Sequence, residues 1–230
     1  MRDKKQAQHF KAQGNRYGEN LLLNPPLHVV YETQNIITEL RRKGVRTVVD
    51  FGSGNGRLSI PLLQAGFTVH CVDISLPSLK RLLKIAKQMG CDKKLSIATR
   101  LPQHTVDAVV GTDILHHVHI GEELKDIRTV LRKKGYVLFS EPNILNPAWL
   151  FFISFFLDWK VEWRIIFCNY FTLRKMFREN CFPRINIDGH GLLPPPFFNK
   201  LPLLQKINYY FGNFPLLKLF SYRYLISAFK

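Results

Sequence analysis

The 230-residue sequence has few cysteines, no long apolar run and about half as many acidic as basic residues. Its four cysteines lie far apart, with neither a C-x-x-C pair nor a cysteine–histidine spacing that suits zinc, so we expect reduced thiols. The longest apolar stretch, residues 148–157, has about half the length that a membrane-spanning helix needs. The first ten residues are polar and do not resemble a secretory signal. We therefore expect a cytoplasmic protein that does not cross a membrane.

The scarcity of acidic residues leaves a net charge of +16, from 33 Lys and Arg against 17 Asp and Glu. The charge is spread along the chain, although the last eighty residues are the most basic part, with eleven basic and four acidic residues. Such a charge favours anionic partners, whether nucleic acid, lipid headgroups or a phosphorylated substrate, and does not choose among them.

Helical and β-branched segments alternate along most of the chain, after a helical or lid segment at residues 1–44 that includes a helix at 27–43. The expected strands are residues 45–51, 67–72, 95–98, 106–111, 136–140, 184–187 and 222–229. The helices expected between them are residues 58–65, 77–89, 122–132 and 171–180. This order predicts one domain at 45–230, of the doubly wound α/β class, with a mostly parallel seven-stranded sheet.

Aromatic residues are unevenly distributed, because 22 of the 29 lie between residues 147 and 230. We interpret residues 149–170 and 197–220 as insertions that form an aromatic-rich cap at one end of the sheet. Three interpretations stay open for these aromatic side chains: hydrophobic core, the wall of an apolar substrate cavity, or a membrane-facing surface.

A glycine-rich turn joins the first predicted strand to the following helix, in the segment V-V-D-F-G-S-G-N-G at residues 48–56. Missing side chains let a ligand approach the backbone at the carboxyl end of the strand. The spacing is G-x-G-x-G, whereas a dinucleotide fingerprint is G-x-G-x-x-G. Asp50 precedes Gly52 by two residues, and its negative charge would oppose a pyrophosphate but suits a ligand with sulfonium and ammonium cations.

This segment resembles the first motif of the class I S-adenosylmethionine-dependent methyltransferases. The resemblance extends over residues 17–141 through V-D at 72–73, L-P at 101–102, V-D-A-V-V at 106–110 and D-I-L-H-H-V at 113–118. It implies the Rossmann-like methyltransferase fold, S-adenosylmethionine as cofactor and methyl transfer as activity.

The resemblance also implies roles for individual residues. Asp50 and the three motif glycines are expected to line the methionine moiety, Asp73 to accept hydrogen bonds from the ribose hydroxyls, and Ile74 to contact the adenine. Relatives often carry an acidic residue before the L-P pair, which this sequence lacks, so apolar contacts and backbone groups are expected to hold the adenine there. The full set of expected cofactor residues is Tyr17, Asp50, Gly52, Ser53, Gly54, Gly56, Asp73, Ile74, Ala98, Thr99, Thr112 and Asp113.

His116 and His117 follow the fourth predicted strand, where this family faces its substrate. Either histidine is a candidate general base, because imidazole accepts a hydroxyl proton near neutral pH. A metal site is disfavoured, since adjacent histidines point in different directions and no carboxylate cluster accompanies them in the sequence. Glu141, Asn143 and His190 are candidates for contact with the acceptor.

The apolar insertions favour a hydrophobic small-molecule or lipid-like acceptor, with peripheral contact to an anionic membrane, and the histidine pair favours O-methylation. Two alternatives stay open. The net charge would allow an RNA methyltransferase, although the sequence carries no appended RNA-binding module. The second alternative is a non-catalytic binding partner with the same fold. The intact Asp50 and motif glycines argue against this alternative.

Overall fold

The computed structural model of the chain describes residues 19–156 and 159–230. Its α-helices are α1 (Glu19–Leu23), α2 (Leu27–Arg42), α3 (Ser59–Gln64), α4 (Leu76–Gln88), α5 (Ile120–Val130), α6 (Pro147–Phe156), α7 (Trp159–Glu162), α8 (Tyr170–Glu179) and α9 (Pro202–Gly212). Its strands are β1 (Thr47–Phe51), β2 (Thr68–Val72), β3 (Leu95–Ala98), β4 (Val106–Thr112), β5 (Leu131–Pro142), β6 (Arg184–His190) and β7 (Arg223–Phe229).

In the described residues these strands form one seven-stranded sheet in the order β3-β2-β1-β4-β5-β7-β6. Strands β1 to β5 are parallel, and β7 runs antiparallel to both β5 and β6. The predicted mostly parallel, doubly wound α/β fold is confirmed. The helix expected at 122–132 ends earlier, at Val130, because Leu131 already pairs with Val106 on β4.

Each face of the sheet has its own hydrophobic core, because helices cover both sides. On one face, α2, α3 and α4 contribute buried residues such as Ile36, Leu62 and Leu82. On the other face, α5 and α8 contribute residues such as Leu124 and Phe177. These rigid layers hold the carboxyl ends of β1, β2 and β4 in one row.

The two predicted insertions lie where the regular β–α alternation is interrupted. Helices α6 and α7 and a 3₁₀ turn at Trp163–Phe167 follow β5, while two further 3₁₀ turns flank α9 between β6 and β7. The second segment meets the sheet through backbone, since a Cβ at Gly189 would overlap the carbonyl oxygen of Gly212, and a Cβ at Gly212 would overlap the backbone of Gly191. We call these segments, residues 147–167 and 195–220, the cap.

Candidate active site

A cavity of about 510 Å³ lies at the carboxyl ends of β1, β2 and β4, a size typical of small-molecule sites. Its sheet side is lined by Asp50, Gly52, Ser53, Gly54, Asn55, Arg57, Asp73, Ile74, Thr112, Asp113, His116 and His117. Its other side is formed by the cap and by α2. Eleven of the twelve expected cofactor residues are among the described residues. Eight of them line this cavity: Asp50, Gly52, Ser53, Gly54, Asp73, Ile74, Thr112 and Asp113.

The glycine-rich loop after β1 is held tightly against β2. Gly52 has a φ of 76°, and a Cβ there would lie 2.5 Å from the Ile114 side chain, so the position requires glycine. The amides of Gly52 and Ser53 donate to the Val72 carbonyl at 2.8 and 3.1 Å. The loop is therefore part of the sheet edge.

The remaining loop glycines use their amides within the fold as well. The Gly54 amide donates to Asp73 Oδ2 at 2.9 Å, and the Gly56 amide donates to the Ser53 carbonyl at 2.9 Å. A dinucleotide pyrophosphate is bound by free amides at a helix N-terminus. Because these four amides are already used, the loop does not fit a pyrophosphate. Nothing lies within 4 Å of where a Cβ on Gly54 would point, so a ligand can lie directly on this backbone.

Asp50 and Asp73 place two carboxylates at the cavity floor. Asp50 is almost completely buried and accepts a hydrogen bond from the Ser59 hydroxyl; burial raises its pKa to about 7. Asp73 accepts the amides of Gly54 and Ser75, the latter at 2.7 Å, and burial raises its pKa too. A cationic ligand would favour the charged form of these carboxylates. The sulfonium and ammonium groups expected from the sequence are such cations.

Asp113 lies at the end of β4 in a left-handed backbone conformation, with a φ of 54°. Its two oxygens bind Arg57 and Arg223, each at 2.7 Å, and Glu32 binds the same two arginines at 3.7 and 3.0 Å. Burial opposes the charge of Asp113, but the two guanidinium groups outweigh it and hold its pKa well below the ordinary range. This four-residue ion network joins β4, β7, α2 and the glycine-rich loop.

His116 is enclosed by two carboxylates from other parts of the chain. Its Nδ1 lies 2.7 Å from Glu141 Oε2, and its Nε2 lies 3.5 Å from Glu162 Oε2. Burial disfavours its charged form, but the hydrogen bonds to Glu141 and Glu162 outweigh burial and raise its pKa to about 10. These contacts favour the charged form of His116, which cannot accept a proton, and the role of general base stays a prediction for this residue. For His117 that role also stays a prediction.

The same cluster corrects the statement that no carboxylates accompany the histidines. Glu162 Oε2 also lies 3.9 Å from His117 Nε2, and the two imidazole rings pack with centroids 3.9 Å apart. Folding brings Glu141 from β5 and Glu162 from α7 to the histidine pair. Adjacent in sequence, His116 and His117 both face the cavity, because the chain turns through a 3₁₀ segment at Leu115–His117.

Several predicted contact residues lie away from the cavity. Gly56 packs behind the loop, where a Cβ would lie 2.9 Å from Leu82 Cγ. Ala98 is exposed at the end of β3 and accepts the Asp73 amide through its carbonyl at 3.2 Å. Thr99 lines a neighbouring depression that shares Ile74 with the main cavity. Tyr17 lies outside the described residues.

The three candidates for acceptor contact serve the fold instead. Glu141 is fully buried and accepts the amides of Ile114 and Leu115 at 2.8 Å each, in addition to His116. Asn143 is fully buried and donates to the carbonyls of Leu219 and Ser221. His190 packs against the outer side of Tyr209, with ring centroids 5.2 Å apart, and lines a separate depression. None of these three residues lines the cavity.

The cap forms an apolar wall opposite the cofactor-side carboxylates. Its residues that line the cavity are Trp149, Glu162, Ile165, Pro195, Pro196 and Tyr209, and Tyr222, directly before β7, adds a further ring. Trp149 stacks on Tyr222 at 4.8 Å and donates its indole N–H to the Tyr222 carbonyl at 2.7 Å. The cap side of the cavity is therefore aromatic and largely apolar, apart from the histidine–glutamate cluster.

Sequence reasoning missed Glu32, Arg57 and Arg223 of the ion network and Glu162 of the cap wall. Glu32 carried a signal, because it lies on the apolar face of α2, between Val29 and Ile36. Arg223 carried another, as a charged residue at the start of an otherwise apolar strand. Glu162 gave no signal, since its role depends on a contact with residues about forty positions earlier in the sequence.

Comparison with known proteins now identifies the family. A family model described as a methyltransferase domain matches residues 27–186. The chain belongs to this family. The predicted class I S-adenosylmethionine-dependent methyltransferase is thereby confirmed as a family assignment.

Curated relatives of this methyltransferase chain are themselves uncharacterized methyltransferases. One, from Anoxybacillus flavithermus (strain DSM 21510 / WK1), is 28% identical over 119 residues, covering 50% of this chain and 55% of the relative. Another, from Geobacillus sp. (strain WCH70), is 28% identical over 116 residues, covering 47% and 53%. The chain therefore spans about half the length of the curated relatives that it matches.

Solved structures support the fold over the whole chain. A methyltransferase from Thermotoga maritima, described as a possible histamine N-methyltransferase, has a TM-score of 0.65 at 14% identity and covers 98% of this chain and 99% of its own. Magnesium protoporphyrin IX methyltransferase from Synechocystis PCC 6803, with bound S-adenosylmethionine, has a TM-score of 0.63 at 15% identity and covers 100% and 99%.

Proposed function

We propose that the chain binds S-adenosylmethionine at the carboxyl edge of the sheet and methylates a hydrophobic small-molecule or lipid-like acceptor, on oxygen. The cofactor half of this proposal is supported by family membership and by a loop that does not fit a pyrophosphate. The observation that carries the acceptor half is the cap, which is apolar both where it lines the cavity and where it faces solvent.

The residues of the sheet edge fit the expected cofactor. Asp50 and the loop at Gly52–Gly54 would hold its methionine end, Asp73 its ribose and Ile74 its adenine. When bound, S-adenosylmethionine supplies an electrophilic methyl group. The chain would contribute mainly alignment of the two reactants, since buried carboxylate and aromatic side chains line the cavity.

Helix α9 shows the unusual character of the cap most directly. Its buried residues are polar or small: Gln205, Asn208 and Gly212. Its exposed residues are apolar: Leu203, Leu204, Ile207, Tyr210 and Phe211. A helix at the surface of a soluble protein normally has the opposite arrangement. An apolar outer face at helical spacing is the pattern of a helix that lies in a membrane interface.

The first cap segment extends this apolar surface. Leu150, Phe151, Phe155 and Trp159 are each at least half exposed. Lys200 and Lys206 are exposed beside the apolar face of α9, and each basic residue near an anionic bilayer adds about 1 kcal/mol of attraction. Within the described ranges, no helix has the length and apolar character to span a bilayer. We therefore propose that the cap rests on an anionic lipid surface and receives its acceptor there.

Calorimetric titration with S-adenosylhomocysteine, S-adenosylmethionine and NAD tests the cofactor half. We expect binding of the first two and none of NAD. Tight NAD binding without a response to S-adenosylmethionine would contradict the proposal.

Transfer of a radiolabelled methyl group tests the acceptor half. The protein is incubated with labelled S-adenosylmethionine and either an organic-soluble extract, an aqueous metabolite extract or total RNA of the host. We expect label in the organic-soluble fraction, in a product whose methyl group is bound to oxygen, as in an ester or an ether. Label in RNA, with binding that weakens steeply as salt rises, would favour the RNA alternative that the charge of +16 allows.

A further inference from the structure

We propose that His116, His117 and Glu162 bind a divalent transition-metal ion such as Zn²⁺ at the acceptor end of the cavity. Binding of the metal ion does not depend on the proposed function. The catalytic use of the ion, described below, rests on the proposed methyl transfer to oxygen. Nothing in the family assignment supplies such a site, and the residues come together only through the contact between α7 and the 3₁₀ turn after β4.

The geometry is close to that of a metal site. One ligand atom from each residue lies within 4.8 Å of the other two, and all three residues are buried. Glu162 Oε2 is 3.5 Å from His116 Nε2 and 3.9 Å from His117 Nε2. Two ligands about 2.1 Å from a tetrahedral zinc ion lie ~3.4 Å apart. The two distances to Glu162 are therefore within about half an ångström of that spacing.

Glu141 orients the first ligand as an outer carboxylate does in established metal sites. Its Oε2 holds His116 Nδ1 at 2.7 Å, which directs the other ring nitrogen, Nε2, towards Glu162. Its Oε1 is fixed by the amides of Ile114 and Leu115. A metal-binding histidine almost always donates its second ring N–H to such a carboxylate or carbonyl, which fixes the ring and its tautomer.

The position of the cluster favours a catalytic site over a structural one. His116, His117 and Glu162 all line the cavity, so a fourth coordination position would face the acceptor space beside Ile165. Three protein ligands with an open position are typical of catalytic zinc, and two histidines with one glutamate is one of the usual sets. An acceptor hydroxyl bound there would have a lowered pKa and would release its proton to solvent.

A second group of side chains, His116, Glu141 and Cys168, also has ligand atoms within reach of one another. Glu141 and Cys168 are completely buried and do not line the cavity, and both Glu141 oxygens already accept hydrogen bonds. We therefore assign the ion to the group that faces the cavity, with Glu141 in the supporting role.

Cobalt binding to the full chain tests the site without any methyl acceptor. The protein is stripped with a chelator, dialysed and titrated with Co²⁺, followed by visible d–d absorption, and with Zn²⁺ by calorimetry. We expect one equivalent of ion with a tetrahedral or five-coordinate spectrum. His117→Gln and Glu162→Gln should each weaken binding by at least ~100-fold, and Glu141→Gln by about 10–100-fold.

Two controls keep a folding defect from being mistaken for a lost ligand. His104→Gln and Glu179→Gln change exposed residues and should leave Co²⁺ binding unchanged. Glu162→Asp keeps a carboxylate and should recover part of the affinity, while circular dichroism and thermal melting report the fold of every variant. The inference would be overturned if the wild-type protein bound no equivalent of Co²⁺. It would also be overturned if His117→Gln and Glu162→Gln bound Co²⁺ as tightly as the wild type.

The outcome is distinguishable from that of the proposed function. Binding of S-adenosylhomocysteine with no bound metal overturns the metal site and leaves the methyltransferase proposal standing. A bound metal with no transfer to an apolar acceptor supports the site and contradicts the proposed acceptor class.

Discussion

The two sides of the cavity are built in different ways. The sheet side is polar and comes from short motifs at the ends of neighbouring strands, with Asp50 near the end of β1 and Asp73 directly after β2. The cap side is aromatic and comes from residues as far apart as Trp149, Pro195 and Tyr222. The sheet side can therefore be read from a few contiguous motifs, whereas the cap side depends on contacts between distant segments.

The largest effect is expected on the sheet side. Asp73→Ala removes the carboxylate expected at the ribose and also the acceptor of the Gly54 and Ser75 amides. Each lost hydrogen bond to a charged acceptor costs about 1.5–3 kcal/mol, so the Kd for S-adenosylhomocysteine should rise roughly 10- to 160-fold. Calorimetry measures it, with Asp92→Ala in the turn before β3 as control. An unchanged Kd would show that the ribose is held elsewhere.

Vesicle binding probes the outer side of the cap. Phe155 and Leu216 are 71% and 79% exposed, one in each cap segment. The double variant Phe155→Ser/Leu216→Ser should weaken binding to anionic vesicles about thirtyfold, because roughly 1 kcal/mol of apolar burial is lost at each position.

The matched control for this test is Val30→Ser/Leu76→Ser, which changes two exposed apolar residues outside the cap. Sedimentation with vesicles of neutral and anionic lipid measures the partition of each variant. If wild type and cap variant sediment equally, or if the wild-type chain forms a dimer that covers this surface, the lipid-surface proposal fails.

Trp149→Ala separates the two sides of the cavity. The indole lines the acceptor side and stacks on Tyr222, so its removal should lower kcat/KM for a soluble apolar acceptor about tenfold. The Kd for S-adenosylhomocysteine should stay within about twofold, because the cofactor residues lie on the sheet. Trp159→Ala, which changes a half-exposed ring, is the control. A variant that loses cofactor affinity and acceptor turnover together would mean that the two sides do not act separately.

The smallest effect concerns His190, whose pKa burial lowers to about 4. Its folded form is neutral at pH 5, whereas the unfolded chain binds a proton below about pH 6.5. The unfolded state thus binds more protons between these values, and the free energy of unfolding falls as pH falls through that window.

Urea unfolding at pH 7 and about pH 5.5 measures this contribution. The difference should be about 1 kcal/mol smaller for His190→Asn than for the wild type. An identical pH dependence in both proteins would show that His190 does not contribute to acid destabilisation.

The comparison also explains how far the sequence could predict the molecule. The sheet, its helices and the positions of Asp50 and Asp73 were predictable, because strand periodicity and the rule that parallel strands end at one edge place those residues together. The environment of His116 was not predictable, since Glu141 and Glu162 reach it only through the tertiary fold. His116, whose sequence neighbours suggest a free base, lies between two carboxylates from distant parts of the chain.

The backbone contact among Gly189, Gly191 and Gly212 bears on how acceptor specificity can change in this family. Where main chain packs on main chain, no larger side chain fits, so Gly189 and Gly212 fix the spacing between the second cap segment and the sheet. The first cap segment meets the domain through side chains such as Trp149, Ile153 and Ile165, which can be exchanged one at a time. Directed evolution towards a new acceptor should therefore accumulate its mutations in residues 147–167.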